Sequence, residues 1–213
     1  MGNLFIWDFH GVLEKNNEYA VEEVVNRVLP EFGISRKATV KECLMLYGRK
    51  WAEYYRYFAP DADEKIIHEM VERSIEIGVG EKIAAKHIKQ NDFAHDVLKE
   101  ISSKGHTNLI MSNSCDAALD MFLEDVGLQN AFHFKFGADN HRGEYGENTK
   151  IKILKNFLKD KNFDKIIVID DMEEGIEMGL KFNAVTYLFS RNGRKNTKAH
   201  FVINDLREVL KET

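Results

Sequence analysis

The polar and apolar positions divide this chain into three stretches. The first is short: Leu4-Phe5-Ile6-Trp7 is wholly apolar and stops at Asp8, and Gly11 follows shortly after. Such a run predicts a buried strand with Asp8 at its C-terminal tip and a turn at Gly11. The second stretch, from about residue 18 to 91, contains no convincing strand. Tyr19, Val21, Val24, Val25, Val28 and Leu29 repeat at helical spacing, as do Val40, Cys43, Leu44 and Tyr47. Trp51, Tyr54, Tyr55 and Phe58 do the same, followed by Ile66, Ile67, Met70, Val71 and Ile75. Pro30, Pro60 and Gly78-Val79-Gly80 punctuate the series. The result is an all-helical block of about 70 residues, enough for a small bundle.

From residue 92 helices and strands alternate. Helices are expected over Phe93 to Lys104, Asp116 to Val126, Lys150 to Lys159 and Glu173 to Lys181, with a final helix to Leu210. Strands are expected over Leu109 to Met111, Phe132 to Phe136, Lys165 to Asp170, Ala184 to Phe189 and His200 to Ile203. This alternation predicts an α/β fold: a Rossmann-like parallel sheet covered on both faces. Right-handed crossovers place every strand C-terminus along one edge. The expected organisation is a core formed by residues 1–16 and 92–213, with residues 17–91 inserted as an α-helical cap over that edge.

Length and composition add limits. The chain has 213 residues, 44% of them hydrophobic, which suits one ordinary domain plus a subdomain. A net charge of −5 and the lack of a broad basic face argue against nucleic acid as a partner. The basic run Arg191-Asn192-Gly193-Arg194-Lys195, with Lys198, reads as a solvated loop. No apolar stretch approaches the roughly 20 residues that span a bilayer, so no membrane is expected as a partner. The N-terminus runs straight into a strand, so no secretory leader is expected and the cytoplasm is the expected compartment. Cys43 and Cys115 have no metal-ligand spacing and read as buried free thiols. Cys115 has no identifiable basic partner that would make it a nucleophile.

Three strand tips carry polar groups: Asp8-Phe9-His10, Ser112-Asn113-Ser114 and Asp170-Asp171. Lys150 opens the helix before the Asp170 strand. A parallel sheet brings such tips to one crevice, where open α/β proteins keep their chemistry. An aspartate nucleophile, a hydroxyl and a lysine for phosphate oxygens, and further carboxylates for Mg²⁺ make a coherent phosphoryl-transfer site. Ser112 and the acidic pair also suit helix capping, and Lys150 also suits the surface. Two adjacent carboxylates repel, however, and a divalent cation relieves that repulsion.

With these motifs in this order, and a helical block between the first two, the chain resembles the haloacid dehalogenase (HAD) superfamily over nearly its whole length. The resemblance implies a HAD-like hydrolase, most readily a Mg²⁺-dependent phosphatase of small phosphorylated metabolites. It makes Asp8 the nucleophile that becomes an aspartyl-phosphate. It assigns Ser112, Asn113 and Lys150 to the phosphoryl group, with Lys152 the weaker choice of lysine. It assigns Asp8, the main-chain oxygen of His10, Asp170 and Asp171 to the metal, with Glu174 as a further acid nearby. Either acid of the Asp170-Asp171 pair can be the direct ligand.

His10 departs from the family pattern, which has a second aspartate there as acid and base. Imidazole can do both jobs, since its unperturbed pKa of roughly 6.5 lies near working pH. Three outcomes follow: a phosphatase using histidine, a HAD hydrolase acting on a different bond, or a phosphate-binding protein without turnover. The retained acidic pair argues against a metal-free dehalogenase. A carbon–phosphorus hydrolase needs a cap lysine, for which Lys15 and Lys50 are available. In the helical block, Trp51, Tyr54, Tyr55 and Phe58 read as core. Arg49 and Lys50, just beyond Gly48, are the candidates for substrate contact. The glycine-punctuated segment Asn140 to Gly146 reads as a hairpin near the crevice or as plain surface.

Overall fold

The computed structural model describes residues 2–139, 149–191 and 197–213. The chain opens with β1 (Leu4–Trp7) and a two-residue β2 (Glu14–Lys15), then enters helices α1 (Asn17–Glu31), α2 (Val40–Met45), α3 (Trp51–Phe58), α4 (Glu64–Gly80) and α5 (Ile83–His87). β3 (Lys89–Gln90) pairs antiparallel with β2, so a small ribbon closes the base of the helical block. The rest runs α6 (Ala94–Ser103), β4 (Thr107–Ser112), α7 (Asp116–Asp125), β5 (Phe134–Gly137), α8 (Thr149–Phe157), β6 (Ile166–Asp170), α9 (Glu173–Lys181), β7 (Val185–Phe189) and β8 (Phe201–Ile203).

The expected alternation is therefore present, with two differences. The β2–β3 ribbon was not expected, because a two-residue ladder leaves no periodic signal. The last element is a 3-10 helix over Leu206–Glu212 instead of an α-helix, opened by Asp205 accepting from the Arg207 amide at 2.9 Å. The segment Asn140 to Gly146 lies outside the described residues, as do Asn192 to Lys195 of the basic run. Of that run, Arg191 donates to the main-chain oxygen of Glu14 and Lys198 pairs with Glu177.

Six parallel strands form one sheet in the order β5-β4-β1-β6-β7-β8. β1 pairs with β4 on one side and β6 on the other. The chain builds outward from β1 to β4 and β5, then crosses back to start β6 on the opposite side. This is the topological switch point where such sheets open a crevice at their strand C-termini.

All four residues of β1 are buried. Phe5 and Trp7 face the core shared with the helical block, while Leu4 and Ile6 face the core against α8 and α9. The first core is continuous: it joins Val24 and Leu29 of α1 and Met70 of α4 to Phe5, Trp7 and Ile169 of the sheet. The helical block therefore packs against the same sheet whose edge it overhangs.

A buried amide pins β1 in place. The Asn108 side chain of β4 accepts from the Trp7 indole at 3.0 Å and donates to the Leu98 carbonyl at 2.8 Å. Both Trp7 and Asn108 are fully buried. Removing the amide strands a buried donor and a buried acceptor, each worth on the order of 1–3 kcal/mol. Asn108→Ala is expected to destabilise the fold by about 3 kcal/mol, read as a lower urea midpoint with an unchanged slope. A loss under about 1 kcal/mol would mean that Asn108 does not hold the strand carrying Asp8.

Candidate active site

Asp8 follows directly on β1, Ser112 ends β4 and Asp170 ends β6, so the neighbouring strands β4, β1 and β6 bring these side chains together. Asp8, Ser112, Lys150 and Asp170 are all buried, while Asp171 is partly exposed. All five line one cavity, along with His10, Asn113 and, at its rim, the exposed Glu174. Lys150 stands in the first turn of α8 and reaches down to the strand tips. Its Nζ donates to Asp8 Oδ1 at 2.7 Å and lies 3.7 Å from Asp170 Oδ2. Lys152, two residues on, is exposed.

The electrostatics are unbalanced toward negative charge. Carboxylate oxygens of Asp8, Asp170 and Asp171 lie within 4.8 Å of one another, against the single ammonium of Lys150 among the described residues. Burial favours loss of the Lys150 proton, but the charges of Asp8 and Asp170 outweigh it and hold the ammonium above its ordinary pKa. Burial, then the Asp8 charge, pushes the Asp170 carboxyl up to about 7 against the opposing pull of Lys150. Desolvation and the charges of Asp8 and Asp170 push Asp171 up as well.

The chain around the acids is shaped to hold them. Asp170 Oδ1 accepts from the Met172 amide at 2.9 Å. Gly175 lies so close beneath Asp170 that any Cβ there would strike its carboxylate. Gly11, at φ +81°, turns the chain after Asp8, and a Cβ there would meet Asp171 and Tyr47. The donor set is all oxygen, carries excess negative charge and is pre-positioned, which fits a hard divalent cation such as Mg²⁺.

On the β4 side, Ser112 Oγ accepts from the Ser114 amide at 3.2 Å. Ser112 through Cys115 line the cavity at the N-terminus of the ten-residue helix α7. The helix dipole suits an anion there. Cys115 is half-buried, less enclosed than expected. Cys43 is buried, as expected, and that burial pushes its thiol up to about 12.

His10 sits in a constructed niche. Its ring meets Phe9 and Phe122 edge-on, with centroids 5.0 and 5.1 Å away. Its Nδ1 lies 3.3 Å from Oε1 of Glu14, a fully buried carboxylate. The same oxygen accepts from the Gly11 amide at 2.9 Å and the Tyr47 hydroxyl at 2.5 Å. Glu14 Oε2 is buried and has no hydrogen-bond partner among the described residues. Glu14 and Tyr47 were not singled out from the sequence. The signal for Glu14 was the one that marked Asp8, an acid directly after apolar residues, here Val12-Leu13.

The helical block contributes unevenly. Tyr54, Tyr55 and Phe58 are core, as the spacing indicated, while Trp51 is partly buried and lines the cavity. Arg49 also lines it, ion-paired with Glu53 at 3.1 Å. Lys50 flanks the start of α3 and is not among the lining residues, and Lys15 pairs with Asp92 instead.

A doubly covered parallel sheet with buried acids and a lysine at its switch point defines a Rossmann-like α/β protein with a polar centre at its strand tips. The chain belongs to the haloacid dehalogenase-like hydrolase family, whose profile matches residues 5–189. It is similar to a phosphoserine phosphatase from Methanocaldococcus jannaschii, with 26% identity over 141 residues, or 60% of this chain and 65% of that protein. Its fold is similar to that of a predicted phosphatase from Clostridium acetobutylicum, with TM-score 0.81, 18% identity and coverage of 100% of this chain and 98% of that one. It is also similar to a haloacid dehalogenase-like hydrolase from Streptococcus pneumoniae, with TM-score 0.80, 14% identity and coverage of 99% and 97%. No helix among the described residues is long and apolar enough to cross a membrane.

The raised carboxyls have a consequence for stability. An acid whose folded pKa lies above its unfolded value binds protons in the folded state that it releases on unfolding. The site therefore destabilises the metal-free protein as pH rises from the ordinary aspartate value of 3.8 toward the Asp170 value of about 7. Metal-free protein is expected to show this loss in melting temperature between about pH 4 and pH 7. Mg²⁺ should reverse it by binding the ionised acids of the folded state only. Asp170→Asn should flatten the pH dependence and weaken the Mg²⁺ response. Identical pH and Mg²⁺ responses in the two proteins would detach both effects from this site.

Proposed function

We propose that this chain is a Mg²⁺-dependent phosphatase of small phosphomonoesters, with residues 17–91 acting as a cap domain over residues 1–16 and 92–213. The observation that carries the reading is the buried contact of Lys150 Nζ with Asp8 Oδ1 at 2.7 Å, inside a cluster with Asp170 and Asp171. The phosphatases among its relatives support it.

Asp8 is the nucleophile: a carboxylate oxygen attacks phosphorus as the bond to the leaving alcohol breaks, giving an aspartyl-phosphate. Lys150 orients Asp8 through its hydrogen bond and, with Ser112, Asn113 and the α7 amides, binds the phosphoryl oxygens. Asp8, the His10 main-chain oxygen, Asp170 and Asp171 would hold Mg²⁺, which when bound supplies charge neutralisation for the phosphoryl group. His10 gives a proton to the departing alkoxide and takes one from the water that opens the acyl-phosphate, so inorganic phosphate leaves and both residues return to their starting states. Arg49 stands where it can meet the substrate at the cavity wall. Glu14 is a positioning residue. By accepting from Nδ1–H it fixes the tautomer that leaves Nε2 as the working nitrogen.

Purified protein is expected to release phosphate from an aryl phosphate only with Mg²⁺ present. Asp8→Asn should lower kcat by at least about a thousandfold while the protein still melts cooperatively. Undiminished turnover in Asp8→Asn would remove Asp8 as the nucleophile, and the lack of turnover across a broad phosphate panel would remove the activity itself.

His10→Ala should lower kcat about a hundredfold on alkyl phosphates and less on aryl phosphates, whose leaving groups need little protonation. Glu14→Gln should lower kcat on alkyl phosphates about tenfold in the parent and scarcely at all in the His10→Ala background, because the two act as one unit. Additive losses, or equal losses on both ester types, would reduce Glu14 to a structural role.

A further inference from the structure

The cavity does not end at the acids. It continues between the helical block and the sheet, where its walls are Val21 and Val24 of α1, Ile75 and Val79 of α4, Ile83 of α5 and Phe122 of α7. The lining runs from Val24, 3% exposed, to Val79, 40% exposed, so the chamber extends from the interior toward solvent. Of its polar groups, Ser74 and Tyr54 are already committed, and Asn17 of α1 also lines it. Ser74 Oγ donates to the Met70 carbonyl at 2.8 Å and shares a short hydrogen bond with Tyr55, while the Tyr54 hydroxyl donates to the Cys43 carbonyl at 3.4 Å. Among the described lining residues, the Lys and Arg side chains are Lys150, which serves Asp8, and Arg49, which is paired with Glu53.

We infer that the chamber receives the leaving group, and that the preferred substrates are monophosphate esters of apolar alcohols, alkyl or aryl. This rests on the phosphatase reading and narrows it. A carboxylate on the leaving group, as in phosphoserine, would lose its water in the chamber, where the cationic side chains among the described lining residues are already paired. A polyol would lose hydrogen bonds to water with few to replace them. An apolar chain gains from leaving water at every carbon. The reaction is unchanged: the phosphorus–oxygen bond breaks, the alcohol leaves with a proton and water ends on phosphate.

The test uses two series on the Mg²⁺-loaded protein. Linear alkyl phosphates from methyl to hexyl, with phosphoserine and a hexose phosphate alongside, are assayed for phosphate release. The matching alkylphosphonates, which cannot be hydrolysed, are measured by calorimetry. Both kcat/KM and phosphonate affinity are expected to rise about threefold to fourfold per added methylene until the chamber is filled. Butyl phosphate should exceed phosphoserine by more than about tenfold. Val79→Lys should raise the affinity for an alkylphosphonate ending in a carboxylate relative to its methyl-ended analogue.

Phosphonate affinity that is flat or falls with chain length overturns the inference, as does a preference for phosphoserine, even where phosphatase activity is present. Chain-length-dependent phosphonate binding with no turnover of any ester leaves the chamber assignment standing and overturns the phosphatase reading alone.

Discussion

The ion pair between Lys150 and Asp8 is the constraint on which the rest of the site depends. Both groups lie below one tenth exposure, where a lone ammonium or carboxylate is not tolerated. Each is therefore stable only beside the other, and the fold must bring a residue of the first turn of α8 to the tip of β1, far away in sequence. Asp170 and Asp171 then add negative charge that the single lysine does not neutralise. The excess is an electrostatic cost of the kind that a divalent cation relieves.

The helical block is joined to this centre in two ways. Its apolar faces share a continuous core with the inner face of the sheet, so it is packed onto the sheet as well as inserted in the chain. Its Tyr47 also reaches the loop after β1, donating to the Glu14 oxygen that faces His10. The orientation of that imidazole is thereby tied to a residue of the helical block. A movement that pulled Tyr47 away would leave Glu14, which carries one oxygen unpartnered among the described residues, with a further loss of hydrogen bonding. The apolar chamber lies along the same junction, so the groups that would recognise a leaving group and those that would protonate it belong to one interface.

Much of the sheet was legible because its signals are local. β1, β4 and β6 are short apolar runs that end in polar residues, and a parallel sheet forces those ends into register. Asp8, Ser112 and Asp170 could therefore be placed together before any coordinate was known. Lys150 was legible only through its position before β6 in a family-like order, since nothing about an isolated lysine announces burial. The β2–β3 ribbon and the closing 3-10 helix escaped because so few residues carry no period. Glu14 escaped for a different reason. Its partners are a backbone amide, a histidine four residues earlier and a tyrosine from another element, and only the last makes the burial intelligible.

By itself the sequence determined the alternation of elements, the central place of the first strand and the polar residues at strand ends. These follow from periodicity and chain connectivity, which are properties of neighbours along the chain. Tertiary structure alone decided that the Lys150 ammonium is buried against Asp8, that Glu14 stands behind His10, and that valines and isoleucines of three helices open a chamber above the acids. Those outcomes depend on which face of each helix is turned inward and on how far each side chain reaches. Distances of a few ångströms between residues far apart in the chain exist only once the core has packed.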